Sequence, residues 1–144
     1  MTAHAIPPED LPPFVFATDP NTVVAQAADG EVIVRIPIGI TRQRSLFRCF
    51  AQALRFPGYF GWNWDALRNC LLDLTWLDPL PHRIVVIHDD LPFAPGQREL
   101  GIYLRILGEA ASSPGLPSFQ IVFPEHQASH LRREWLVTTD VESP

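Results

Sequence analysis

The sequence predicts an α/β domain with a small, mainly parallel three-stranded sheet packed with helices, an extra N-terminal strand or hairpin, and an extended N-terminal leader. Three observations carry this. Arg83 to His88 reads RIVVIH, a continuous β-branched run that suits a strand covered on both faces. Ser118 to Phe123, SFQIVF, is a second such run, closed by Pro124. The segments before and between them carry apolar residues at helical spacing, and parallel strands need helical crossovers of that length. The order strand, two helices, strand, helix, strand then gives right-handed connections within one layer.

Taken in order, residues 1–22 hold Pro7, Pro8, Pro12, Pro13 and Pro20 and read as a partly extended leader. Phe14-Val15-Phe16 within it suits a short edge strand or a packed arm. The domain proper is expected over 23–124. Thr22 to Gln26 and Glu31 to Ile36 flank Ala28-Asp29-Gly30, a turn signal that predicts a hairpin. Pro37 and Gly39 end the second run, and Thr41 is the expected N-cap of a helix reaching about Leu54, with Leu46, Phe47, Phe50, Ala53 and Leu54 inward.

Pro57 and Gly58 break that helix, and Pro57 pushes Phe56 toward extended backbone. Gly61 offers backbone without Cβ strain, and Asn63 is placed to cap the next helix, with Asp65 in the first turn where the helix dipole favours a negative charge. On that helix Leu67, Cys70, Leu71 and Leu74 share one face, and Asp65, Arg68, Asn69 and Leu72 the other. Asp78-Pro79-Leu80-Pro81 is a loop. Gln97 to Ala111 reads as a helix with Leu100, Tyr103, Leu104 and Leu107 inward. Residues 125–144 form a C-terminal extension, with a helical turn or two around His126 to Leu136.

A chain of 144 residues suits one domain and can bury a core without staples. Hydrophobic content of 47% against 19% charged residues describes a globular chain. The net charge of −5 argues against a nucleic-acid partner and suits a basic protein partner. Cys49 and Cys70 both fall on apolar helical faces and read as free thiols; without a CxxC pair, no zinc or redox site is expected from them. MTAHAIPPED lacks a basic segment followed by an apolar run, and no apolar run reaches membrane-spanning length, so a cytoplasmic protein without a membrane partner is expected.

Chemistry has three candidate seats. Tyr59 and Trp62 precede a helix with a polar outer face, which makes a reasonable recognition surface; the plainer reading is a surface helix with a well-packed lead-in turn. His88-Asp89-Asp90 stands at the carboxyl end of a predicted parallel strand, where open α/β sheets place active sites, but no nucleophile or phosphate-binding loop accompanies it. His126 and His130 could clip a metal if a third ligand joined them. Trp135 and Leu136 read as packing or a small partner patch.

The stretch Phe56-Pro57-Gly58-Tyr59-Phe60-Gly61-Trp62-Asn63-Trp64-Asp65-Ala66-Leu67, followed by Cys70, resembles the signature of the barstar family, small acidic inhibitors of barnase-type ribonucleases. The looser resemblance runs from about Val32 to Phe123. It implies a barstar-like fold and a non-enzymatic, intracellular inhibitor or immunity protein that is a monomer when free and needs no cofactor or metal. Its partner would be a ribonuclease or ribonuclease-like toxin, a basic protein whose active site the loop and helix occlude. Carried over by position, Tyr59 matches a loop tyrosine, Gly61, Asn63, Trp64 and Asp65 lie in the motif at the helix entrance, and Glu109 matches a glutamate that pairs with an enzyme arginine. Trp62 and Leu72 border these positions and join the expected partner-binding set. Two positions depart from the pattern: Arg68 replaces a tryptophan, and Asn69 replaces the aspartate that mimics phosphate. Asn69 offers hydrogen bonds without charge, so the expected partner is one read differently from barnase, or bound more weakly. The alternatives are a small enzyme centred on His88 and Asp89, or an interaction module without inhibitory activity.

Overall fold

The computed structural model describes residues 13–115 and 117–142. Pro7, Pro8 and Pro12 of the leader therefore lie outside the described residues. The elements are β1 (Val15–Ala17), α1 (Pro20–Ala25), β2 (Glu31–Ile36), α2 (Gln43–Ala53), α3 (Trp64–Asp73), β3 (Arg83–His88), α4 (Arg98–Ser112), β4 (Ser118–Pro124), a 3-10 turn (Glu125–Gln127) and α5 (Ala128–Glu142). The sheet has four strands in the order β1-β4-β3-β2, all parallel. The expected three-strand core is present, and the added N-terminal strand is the Val15 run, with Phe16 beside Phe123.

The expected hairpin is not formed. Thr22 to Gln26 lies in and just after helix α1, and β2 pairs with β3 instead. The cause is local: Asp19 caps the helix, its Oδ1 accepting from the Asn21 amide at 3.0 Å, and Pro20 fixes the first turn. Val23 and Val24 then lie against Val85, Ile87 and Val122 on one face of the sheet. Their β-branched character suggested a strand, but a cap and a proline outweighed propensity.

The period-2 alternation of the strands divides the core. Val34, Ile36, Ile84, Val86, Ile121 and Phe123 face the larger layer of α2, α3 and α4. The other face is a smaller cluster covered by α1. The C-terminal extension is more helical than expected: α5 runs from Ala128 to Glu142, and Trp135 packs so closely on α4 that a Cβ at Gly108 would stand 2.4 Å from its ring. Trp135 also meets Phe14, with ring centroids 5.4 Å apart. Both cysteines are free, as expected, and burial raises their thiol pKa values. Among the described residues no helix is long and apolar enough to cross a membrane.

Helix α2 starts one residue later than expected, with Arg42 rather than Thr41 at the N-cap and no side-chain capping bond. It ends with Arg55 in the left-handed region (φ 51°) and the Phe56 amide donating to the Ala51 carbonyl at 3.0 Å, the wrapped ending that more often employs glycine. The following loop returns to helical backbone through Trp62, also left-handed at φ 56°. Conformational strain thus falls on Arg55 and Trp62, while Gly58 and Gly61 avoid the left-handed region.

Candidate functional site

Helix α3 is started by Asn63, whose Oδ1 accepts from the Ala66 amide at 2.7 Å. The same side chain donates back to the Gly61 carbonyl at 3.4 Å, tying the loop to the first turn. A Cβ on Gly61 would stand 3.4 Å from that amide nitrogen, so a small residue suits the position. Behind the loop, Phe56 packs on Phe60 and Trp76, and the Trp76 indole donates to the Leu54 carbonyl at 2.9 Å. The loop is therefore braced by aromatic packing and by a hydrogen bond to the end of α2.

Leu67, Cys70 and Leu71 are buried, so α3 presents Asp65, Arg68, Asn69 and Leu72 outward together. Leu72 is 40% exposed, Tyr59 74% and Trp62 37%. Trp62 is held between Phe60, at 5.1 Å, and the Arg44 guanidinium, 4.7 Å from its ring centroid. Trp64 differs from its neighbours: it points into the domain and packs on Phe47, Phe93 and Tyr103. Its alternation with Trp62 separates an outward aromatic from an inward one.

Arg68 and Glu109 meet across the α3–α4 boundary. The guanidinium donates from Nε to Oε1 at 2.9 Å and from its terminal nitrogen to Oε2. This bidentate pair raises the Arg68 pKa through its hydrogen bond to Glu109. Both side chains remain substantially exposed. The outward face thus holds two carboxylates that make no hydrogen bond or ion pair among the described residues, Asp65 in the first turn and Asp73 in the last, beside an internally neutralised pair, an amide and a leucine. Sequence reading placed Arg68 and Glu109 on this surface separately; their pairing spans 41 positions and has no local signal. Arg44 is a further member of this surface that the motif does not include; its signal is the run of arginines without acidic neighbours between Glu31 and Asp65.

The residues of the rival site diverge. His88 is fully buried, stacked on Phe123 at 4.0 Å, with Nδ1 donating to the Val122 carbonyl at 2.9 Å and Nε2 accepting from the Tyr103 hydroxyl at 2.6 Å. Burial lowers its pKa to about 4, so it is a neutral imidazole with both nitrogens engaged. Asp89 follows on the opposite face of the sheet and accepts three hydrogen bonds from Arg35, while Asp90 accepts from the Leu91 amide and from Gln127. A cleft of about 370 Å³ does lie at this carboxyl edge, between the loops of Ile40 and Phe93, but His88 does not line it. His130 bonds Gln127, and His126 lies 3.8 Å from Asp90. Among the described residues no group of three or more His, Cys, Asp or Glu side chains is placed to hold a metal.

Comparison with known proteins adds one match. The family model described as Barstar (barnase inhibitor) fits residues 34–124, more than half the chain. Neither the curated proteins nor the solved structures give a match. The matched span begins within β2 and ends with β4, so it includes the α3 surface and leaves out β1, α1 and α5.

Proposed function

The chain belongs to the barstar family, and on that premise we propose that it occludes the active site of a ribonuclease or ribonuclease-like toxin. The plug is the outer face of α3 with its aromatic lead-in loop. Tyr59 and Trp62 supply apolar contact area, Asp65 the charge, and Asn69 and Leu72 the centre of the face, with Gly61 and Asn63 shaping the loop and Arg68 and Glu109 bordering it. Trp64 contributes from beneath, holding α3 on the core. The protein acts in the cytoplasm as an immunity-type inhibitor and is a monomer when free.

The observation that carries this reading is that the residues spaced for one face of α3 are solvent-exposed together beside an exposed tyrosine, on a loop braced from behind. Rigid aromatic anchors presented on a fixed backbone cost little entropy to bury, which is what an occluding surface requires. The buried, neutral state of His88 favours this reading over the enzyme alternative.

The test is co-purification from the native host, followed by a ribonuclease assay on the captured partner. Wild-type chain should capture and inhibit a ribonuclease, and Tyr59→Ala/Asp65→Ala should lose at least about tenfold in affinity, as expected for truncation at an interface centre. Capture unchanged by both substitutions, or turnover of a small substrate by the purified chain, would overturn the proposal.

A further inference from the structure

Between Glu31 and Asp65 the chain has no acidic residue and five arginines: Arg35, Arg42, Arg44, Arg48 and Arg55. The net charge of −5 therefore conceals a basic segment inside an acidic remainder. Arg35 is neutralised by Asp89. The other four are exposed and form no ion pair with any described residue.

Their placement is ordered. Arg44, Arg48 and Gln52 follow one another at four-residue spacing along α2, opposite the buried Leu46, Phe47 and Phe50, and Arg55 stands just past the helix end. Successive members of the row are about 6 Å apart along the axis. Helix stability does not explain the row. Arg42 and Arg44 occupy the N-terminal end, where the dipole disfavours cations, and the first turn has no acidic residue to compensate.

The row adjoins aromatic rings. Arg44 lies over Trp62, and exposed Tyr59 belongs to the same loop. Trp62 is already held between Phe60 and Arg44, which leaves Tyr59 as the open ring. A line of guanidinia with an open ring on the adjoining loop combines the two elements of sequence-tolerant single-strand binding: cations along the phosphates and a ring on which a base stacks. An acidic protein surface would engage the arginines but has no base to lay on Tyr59. We propose that the α2 row binds single-stranded RNA, with Tyr59 as the stacking ring and Trp62 as the ring that positions Arg44. The acidic remainder of the chain limits the contact to a few nucleotides and makes it strongly dependent on salt. This surface does not depend on the inhibitor reading, although the two share the loop.

Fluorescence anisotropy with a labelled single-stranded RNA of twelve nucleotides tests it, using the full chain at 25 and 150 mM NaCl. Three to four arginine–phosphate contacts predict saturable binding at low salt that weakens about 40- to 150-fold at the higher concentration. Arg44→Ala/Arg48→Ala should reduce the slope of log affinity against log salt by about 1.4, and Trp62→Phe should remove part of the tryptophan quenching seen on titration. Circular dichroism melts establish that the variants are folded. No saturable binding at 25 mM, or binding indifferent to Arg44→Ala/Arg48→Ala, overturns the proposal. Polyglutamate that competes as effectively as unlabelled RNA of the same charge also overturns it, and identifies the row as a surface for an acidic protein.

Discussion

Arg68 and Glu109 form a bidentate ion pair that closes the outer seam between α3 and α4. The pair changes what the surface can offer. Left alone, Glu109 would add a third carboxylate to a face already bearing Asp65 and Asp73; held by Arg68, it contributes no net charge there. A strongly basic cleft would meet Asp65 and, at the far end of the helix, Asp73, with a guanidinium between them.

Arg68→Ala should therefore strengthen binding to a basic ribonuclease such as barnase, because it removes one positive charge and releases Glu109. The melting temperature should change little, since exposed ion pairs contribute little to stability. Inhibition titrations at low and high salt would check this, with the gain largest at low salt. Equal or weaker inhibition by the variant would show that the pair does not set the charge the partner reads.

Tyr59 and Trp64 should separate under truncation. Tyr59 is 74% exposed, so Tyr59→Ala should alter unfolding free energy by less than about 0.5 kcal/mol. Trp64 packs against Phe47, Phe93 and Tyr103, and Trp64→Ala should cost about 3 kcal/mol. Urea unfolding of both variants makes the comparison. Similar losses would contradict the division of the loop into an outward and an inward aromatic.

His88 should make stability depend on pH. Its folded-state pKa is about 4, below the ordinary 6.5, so the unfolded chain binds the proton more readily. The full contribution is present above about pH 6.5 and is lost as pH falls from there to about 4. Between pH 7.5 and 4.5 the loss should be about 2–3 kcal/mol by urea denaturation. A folded His88→Phe variant should lack that component, while acidic groups such as Glu31, whose pKa is lowered chiefly by its hydrogen bond to Arg83, keep their own response at lower pH.

Gly108→Ala should destabilise the protein despite alanine's better helix propensity. The added methyl would overlap the Trp135 ring, forcing α4 and α5 apart at a cost of about 1–3 kcal/mol. Combining it with Trp135→Leu should recover part of the loss. A more stable single variant would mean that α5 yields there freely.

The parts of this architecture that were legible in the sequence are those with a local cause. Asn63 was readable as a cap because an asparagine preceded a clean helical face, and the β3 run was readable because continuous β-branching suits a doubly covered strand. Helix α1 was misread because Val23-Val24 outweighed the Asp19-Pro20 start signal in a six-residue element with little periodicity. Nothing local could report the Arg68–Glu109 pair or the seat of Trp135 on Gly108, which depend on how distant helices come together. The exposed face of α3 was legible, whereas the inward turn of Trp64 depended on the position of α2.

The contacts of Phe14 with Trp135, of Phe16 with Arg132 and of Thr18 with Glu125 fasten the beginning of the described chain to its end. Neither side of this clasp falls inside the family-matched span. A fragment trimmed to residues 34–124 would begin partway along β2, bare the outer margin of β4, and uncover the α4 surface beneath Trp135. Unpaired strand margins invite self-association. Expression of the matched span alone should thus give a sticky, poorly cooperative polypeptide, and the smallest piece worth making for binding work starts before Phe14 and continues past Trp135.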